Sequence, residues 1–217
     1  MSKLLTGINL VLVCLVLLLL LRPGGPARAF ADEWNAARIQ SRVLEQRWGE
    51  IASDGAWLDE GGALTTASLV VFTDYECPFC RQFDSTIAEF RAAFPGRAIR
   101  VRQFPLSIHA RARDAAAAAI CADAQGRFTS VHQALFAGTE WRDSASLAFL
   151  AKTHGVQDTA AFASCLESDS TRAVIERDVK LAQEIGLDAT PGVVTQQVLR
   201  SGVMSLEELE VSTGGDE

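Results

Sequence analysis

Ser68-Leu69-Val70-Val71-Phe72-Thr73-Asp74-Tyr75-Glu76-Cys77-Pro78-Phe79-Cys80 is the stretch whose reading decides the fold. Its first six residues form a continuous apolar run, which reads as a β-strand buried on both faces at the centre of an α/β sheet. Beyond it, Phe79, Phe83, Ile87, Phe90 and Phe94 recur at steps of four and three, the stripe of a helix packed on a core. Pro78 suits the first turn of that helix, where its missing N–H has no partner to lose. Cys77 and Cys80 therefore stand at a strand-to-helix junction, and two thiols at that spacing read as a redox pair. The free N–H groups and the positive end of the helix dipole stabilise a thiolate on Cys77. The thiolate is the species that attacks disulfides. Cys77 is expected to be the exposed nucleophile, and Cys80, inside the first turn, the shielded resolving thiol. Pro78 and Phe79 shape the N–H groups and dielectric around the Cys77 sulfur and so tune the couple.

Reading outward, Pro95-Gly96 ends the helix, and Ile99 to Phe104 alternates as a second strand. Strand, helix and strand at this spacing make a βαβ unit with a parallel sheet. Arg100 and Arg102 read as its solvated face. Helical patterns then cover 110–124, 127–137, 144–154, 158–167 and 170–185, with Val174, Leu181 and Ile185 on one face of the last. Thr190-Pro191-Gly192 precedes a hairpin, Val193-Val194-Thr195 against Val198-Leu199-Arg200. Its turn, Gln196-Gln197, is poor tight-turn chemistry, so an irregular hairpin is expected. Ser205 caps a final helix. On the other side, Asp32 caps a helical lead-in to about Ala52, and Ala56-Trp57-Leu58 reads as a short edge strand.

The chain has 217 residues, 48% of them hydrophobic, and a net charge of −7. An acidic balance argues against a nucleic-acid partner. Leu4 to Leu21 carries no charge over 18 residues, the lower limit of a membrane span. Ala27-Arg28-Ala29 also has the form of a signal cleavage site. The first 30 residues thus read as a transmembrane anchor or a signal peptide, and either one implies export to a compartment where disulfides persist. Of five cysteines, Cys14 lies in the apolar segment. Cys121 and Cys165 remain as an even pair, read as a structural disulfide against the alternative of two buried free thiols. Zinc needs four ligands, and His109, His132 and His154 are not paired at ligand spacing, so no metal site is expected. His109 reads as a cap on the helix from Ala110, and Glu76 as a solvated carboxylate beside Cys77.

The order of these elements, with Phe72-Thr-Asp-Tyr-Glu-Cys-Pro-Phe-Cys80, Phe104-Pro105-Leu106 with His109, and Ala189-Thr190-Pro191, resembles the thioredoxin-like superfamily and most of all its DsbA-like branch. The resemblance implies a thioredoxin-like α/β fold with a central mixed sheet and an inserted all-helical domain. It covers about residues 63–211, with the insertion at about 110–186, a helical lead-in and linker at 31–62, and a disordered tail at 212–217. It also implies a cis bond at Thr190-Pro191, packed against the cysteine pair and helping to bind extended substrate. The expected function is an exported or membrane-tethered protein disulfide oxidoreductase, acting on cysteine-containing proteins on the extracytoplasmic side as an oxidant. No bound cofactor is needed, only a membrane redox partner, oxidase or reductant carrier, and the chain is expected to be a monomer. The alternatives are a dedicated reductase or isomerase, and a Cu(I)-delivery module using the two thiolates.

Overall fold

A computed structural model describes residues 12–13, 16–58, 67–142 and 144–214 of the chain. It falls into two units, Met1–Arg42 and Val43–Glu217. The expectations for Cys14, for residues 59–66 and for residues 215–217 lie outside the described residues, as does most of the Leu4–Leu21 run. Among the described residues no helix is long and apolar enough to cross a membrane. Helix α1, Pro26–Ser53, starts earlier than the Asp32 cap suggested. Proline at its first position is pre-set for the helical φ and needs no polar cap. In the first unit its Phe30, Trp34 and Ile39 are exposed.

In the second unit the sheet runs β1-β3-β2-β4-β5. The strands are β1 (Ala56–Trp57), β2 (Leu69–Thr73), β3 (Ile99–Gln103), β4 (Gly192–Val194) and β5 (Leu199–Ser201). Strands β2 and β3 are parallel, Leu69 opposite Ile99 through Thr73 opposite Gln103. Helix α2, Pro78–Ala93, makes the crossover between them. Every residue of β2 is buried, and because side chains alternate along a strand it feeds two cores at once. Leu69 and Val71 meet Phe83, Ile87 and Phe90 of α2 on one face. Val70 and Phe72 meet Leu44 of α1, Leu181 of the helix Asp169–Glu184 and Ile185 just after it on the other.

The helical block is α3 (Ala112–Asp123), α4 (Phe128–Ala137), α5 (Ser144–Thr153), α6 (Thr159–Leu166) and α7 (Asp169–Glu184), and α8 (Leu206–Ser212) closes the chain. Ala115 to Ala119 are all buried, so the alanine-rich α3 serves as a low-relief seat for its neighbours. A disulfide joins Cys121 of α3 to Cys165 of α6, with the Cα atoms 5.8 Å apart. Ser205 forms a full capping box with Glu208 at the start of α8.

Four expectations need correction. Arg102 is not solvated: it is 1% exposed, and its guanidinium donates to Asp178 Oδ1 of α7 at 2.6 Å. It also donates to the carbonyls of Ile51 at 2.9 Å and Glu50 at 2.6 Å, in the last turn of α1, where backbone carbonyls lack their usual i+4 donors. One side chain thus ties a strand to two helices. Arg100 is half-buried, with its guanidinium 3.6 Å over the Trp57 ring. Phe79 breaks the core stripe: it is 59% exposed, while Cys80 in the same turn is 2% exposed. Val174 is half-buried, and Ile175 takes its place in the core.

The β4–β5 hairpin forms despite Gln196-Gln197. Thr195 Oγ1 accepts from the N–H groups of Gln197 and Val198 at 3.1 and 3.0 Å, doing the work that Asn-Gly would otherwise do.

Removing one partner of the buried ion pair leaves the other charge stranded. Arg102→Met or Asp178→Asn is expected to lower unfolding free energy by about 3–5 kcal/mol in urea melts, and the Arg102→Met/Asp178→Leu double variant to cost less than either. Replacing Cys121 and Cys165 by Ala opens a loop spanning 44 positions. The expected loss is about 4 kcal/mol, read as a lower thermal midpoint.

Candidate active site

Strand β2 ends at Thr73, and the chain turns so that Cys77 N donates to Asp74 O at 3.1 Å. Cys77 is the N-cap of α2, in extended conformation with φ −71° and ψ 120°, and no oxygen-bearing side chain caps the helix. The N–H groups at the helix start therefore face the Cys77 sulfur in the place where Ser or Asp would accept them. A neutral thiol accepts poorly and a thiolate well. The Cys77 thiol is accordingly lowered to about 5, first by a hydrogen bond from the Cys80 thiol, with further lowering from Thr190 and from the backbone N–H groups of Cys80 and Phe79. Burial opposes this without overcoming it. For Cys80 burial dominates and pushes the thiol up, reinforced by its hydrogen bond to Cys77 and by the Cys77 charge. The two sulfurs share one proton, and it stays on Cys80.

The Thr190-Pro191 bond is cis. Gly192 pairs with Phe72 in the antiparallel β2–β4 register, which carries Pro191 and Thr190 past the end of β2 to the loop before Cys77. Cys77 Sγ lies 3.4 Å from the Thr190 carbonyl oxygen. Gly192 permits this approach: a Cβ there would lie 2.6 Å from Leu187 Cδ1 and 3.2 Å from Phe72 Cβ. The structure thus gathers Cys77, Cys80, Thr190 and Pro191, with Pro78 and Phe79 exposed beside them. Cys77 is not the exposed thiol expected: it is 5% exposed, against 2% for Cys80. The cis-proline loop covers it, so the two sulfurs differ in proton affinity far more than in accessibility.

Sequence reasoning missed the frame around this loop. Asp74 is 1% exposed. Its carboxylate accepts from the N–H of Glu76 at 2.8 Å and of Leu106 at 2.7 Å, and from His109 Nδ1 at 2.8 Å. His109 therefore holds Asp74 instead of capping a helix, and α3 starts at Ala112 with no side-chain cap. Glu76 is half-buried, accepting from Arg111 N–H and pairing with Arg142 at 3.5 Å, so it is bound and not solvated. The Asp-x-Glu spacing before the cysteines is an Asx-turn signal that pointed to Asp74. Tyr75 O–H and Asp84 flank His132, at 2.9 Å from Nδ1 and 3.0 Å from Nε2. Among the described residues no group of three or more His, Cys, Asp and Glu side chains gathers in metal-binding geometry.

The thioredoxin family profile matches residues 61–211, well over half of the chain. The chain belongs to the thioredoxin family. A thioredoxin-like oxidoreductase from Silicibacter pomeroyi superposes with a TM-score of 0.61 at 27% identity, over 66% of this chain and 82% of that one. The thiol–disulfide exchange protein alpha-DsbA2 from Wolbachia pipientis gives a TM-score of 0.68 at 17% identity, over 82% of this chain and 96% of that one. That likeness establishes the DsbA-like form of the thioredoxin fold, a mixed five-stranded sheet with an inserted helical block. A Na+/H+ antiporter NhaA 1 from Mycolicibacterium gilvum is 35% identical over 131 residues, 57% of this chain. The chain spans about a fifth of the length of that curated relative, 21%.

Because the lowered thiol is Cys77, iodoacetamide is expected to label it at a rate that is flat above about pH 6 and falls as pH drops through about 5. A depressed acid stabilises the folded dithiol increasingly as pH rises from about 5 toward the ordinary thiol range, and that stabilisation is gone below about 5. Trapping the single label by mass spectrometry across pH checks both the residue and the midpoint.

Proposed function

We propose that this chain, a thiol–disulfide oxidoreductase of the DsbA-like type, works through Cys77 as nucleophile and Cys80 as resolving thiol on cysteine-containing proteins outside the cytoplasm. The observation that carries the reading is geometric: Cys77 is the N-cap of α2 with no oxygen cap, 3.4 Å from the carbonyl of Thr190 before the cis proline, and Cys80 lies buried one turn on. The Cys77 thiol is accordingly lowered and that of Cys80 raised. A thiolate on Cys77 attacks a disulfide sulfur and forms a mixed disulfide. Cys80 then attacks Cys77 Sγ, the bond to the partner sulfur breaks, and a Cys77–Cys80 disulfide remains. The reverse sequence passes that disulfide to a substrate dithiol.

The direction follows from which form the site favours. A stabilised thiolate favours the reduced protein, and a pair whose reduced form is favoured is an oxidant. We therefore assign the chain as a net donor of disulfides, re-oxidised by a membrane partner. Two features support an extracytoplasmic setting: the apolar Leu4–Leu21 run, read as anchor or signal, and the Cys121–Cys165 bridge, of a kind that persists in oxidising compartments. Phe79, exposed next to the thiols, offers an apolar contact to an extended substrate chain. The antiporter similarity covers too little of that relative for transport to be assigned to this chain.

Equilibration with glutathione is expected to give a reduction potential near the oxidant end, about −120 mV, and not near about −270 mV. Cys77→Ser is expected to abolish exchange with a disulfide peptide. Cys80→Ser is expected to retain attack and accumulate the mixed disulfide. Exchange that survives Cys77→Ser defeats the assignment, and a potential near the thioredoxin value reverses its direction.

A further inference from the structure

Cys80 is the group whose chemistry the site leaves incomplete. It is 2% exposed, its thiol is pushed up by burial, and it must lose its proton before it can attack Cys77. Behind it lies a cavity of about 10 Å³, lined on its polar side by Cys80, Thr73, Asp84 and His132. That is close to the roughly 10–15 Å³ that holds one water. Asp84 sits one helical turn beyond Cys80, on the same face of α2. Its side chain is 24% exposed, so it touches both the cavity and solvent.

The carboxylate is held in place from the helical block. His132 of α4 is 3% exposed, its Nε2 3.0 Å from Asp84 Oδ1 and its Nδ1 2.9 Å from Tyr75 Oη. A ring with its proton on Nε2 donates to Asp84 and accepts from the Tyr75 hydroxyl, which leaves both ring nitrogens satisfied. Tyr75 is 1% exposed, and burial holds its hydroxyl protonated, with Asp84 and Cys80 adding to the effect. The titratable groups facing Asp84 are therefore Cys80 on its own helix, His132 from α4 and Tyr75 from the loop after β2. Arg81 is directed to the Gly138 carbonyl at 3.4 Å.

We propose that Asp84, positioned by His132, is the acid–base group for Cys80, exchanging its proton across the small cavity. The proposal rests on the dithiol reading given above. In the forward step the Cys80 S–H proton passes through one water to the Asp84 carboxylate. The resulting thiolate attacks Cys77 Sγ, the Sγ–S bond to the partner breaks, and the electron pair leaves on the partner sulfur. The two cysteines are oxidised by two electrons and the partner disulfide is reduced. Asp84 then releases the proton to solvent through its exposed edge. When the chain acts as oxidant the order reverses, and protonated Asp84 returns the proton to the departing Cys80 thiolate.

The test follows the reduced full chain reacting with dithiobis(nitrobenzoate) in stopped flow. A first coloured thiolate is released when Cys77 attacks, and a second when Cys80 resolves the mixed disulfide. Asp84→Asn is expected to slow the second phase by about 100-fold and leave the first unchanged, which also shows that the variant is folded. Its second phase is expected to climb with hydroxide across the pH range, unlike that of the wild type. Asp84→Glu is expected to restore the wild-type profile. In the wild type itself the second phase is expected to slow in deuterated water and the first is not. A second phase unchanged in Asp84→Asn, or slowed with the wild-type pH profile, overturns the proposal, and so does a second phase insensitive to deuterium. Absence of both phases from the wild type overturns instead the dithiol reading beneath it.

Discussion

Strand β2 is apolar on both faces, and the rest of the fold answers that constraint. A five-residue strand with no polar side can persist only if helices cover it above and below. Helix α2 with α3 to α6 supplies one cover, the end of α1 and α7 the other. The chain segment leaving such a strand emerges from the sheet with its direction already set. That is why the first turn of α2, and with it Cys77, stands at a defined place beside the incoming β4 strand.

The chemistry of the site grows from the same geometry. A helix start needs an acceptor for its free N–H groups, and here the acceptor is sulfur. The helix favours the ionised form of Cys77, and the dry interior favours the neutral form of Cys80. Neither residue is unusual in itself; their difference comes from lying one turn apart across the boundary between helix end and core. Asp74 and Glu76, bound through the 106–111 loop, keep that boundary in one place. The cis-proline segment lies against the nucleophile, which is why Cys77 is buried although it begins a helix.

Much of this was legible in the residues. The stripe Phe83-Ile87-Phe90 announces its helix, the apolar run its strand, and Thr190-Pro191 its loop, because periodicity and proline geometry are local properties. The errors have one cause. Arg102 alternates like a surface residue, yet its partner Asp178 lies 76 positions away. His109 looks like a cap until Asp74, 35 positions back, comes beside it. Phe79 keeps the step of its stripe, but among the described residues no distant segment packs over it, and it is exposed. In each case the local pattern is correct and distant segments decide the environment.

The sequence by itself determined the order of strands and helices, the site of the thiol pair and the helix end on which Cys77 rests, since each depends on spacing along the chain. The tertiary structure decided which charges are buried, which aromatic faces outward, how the loop before Cys77 is held, and what stands behind Cys80. Those depend on burial and on hydrogen bonds between residues far apart in sequence, and burial is a property of the assembled fold.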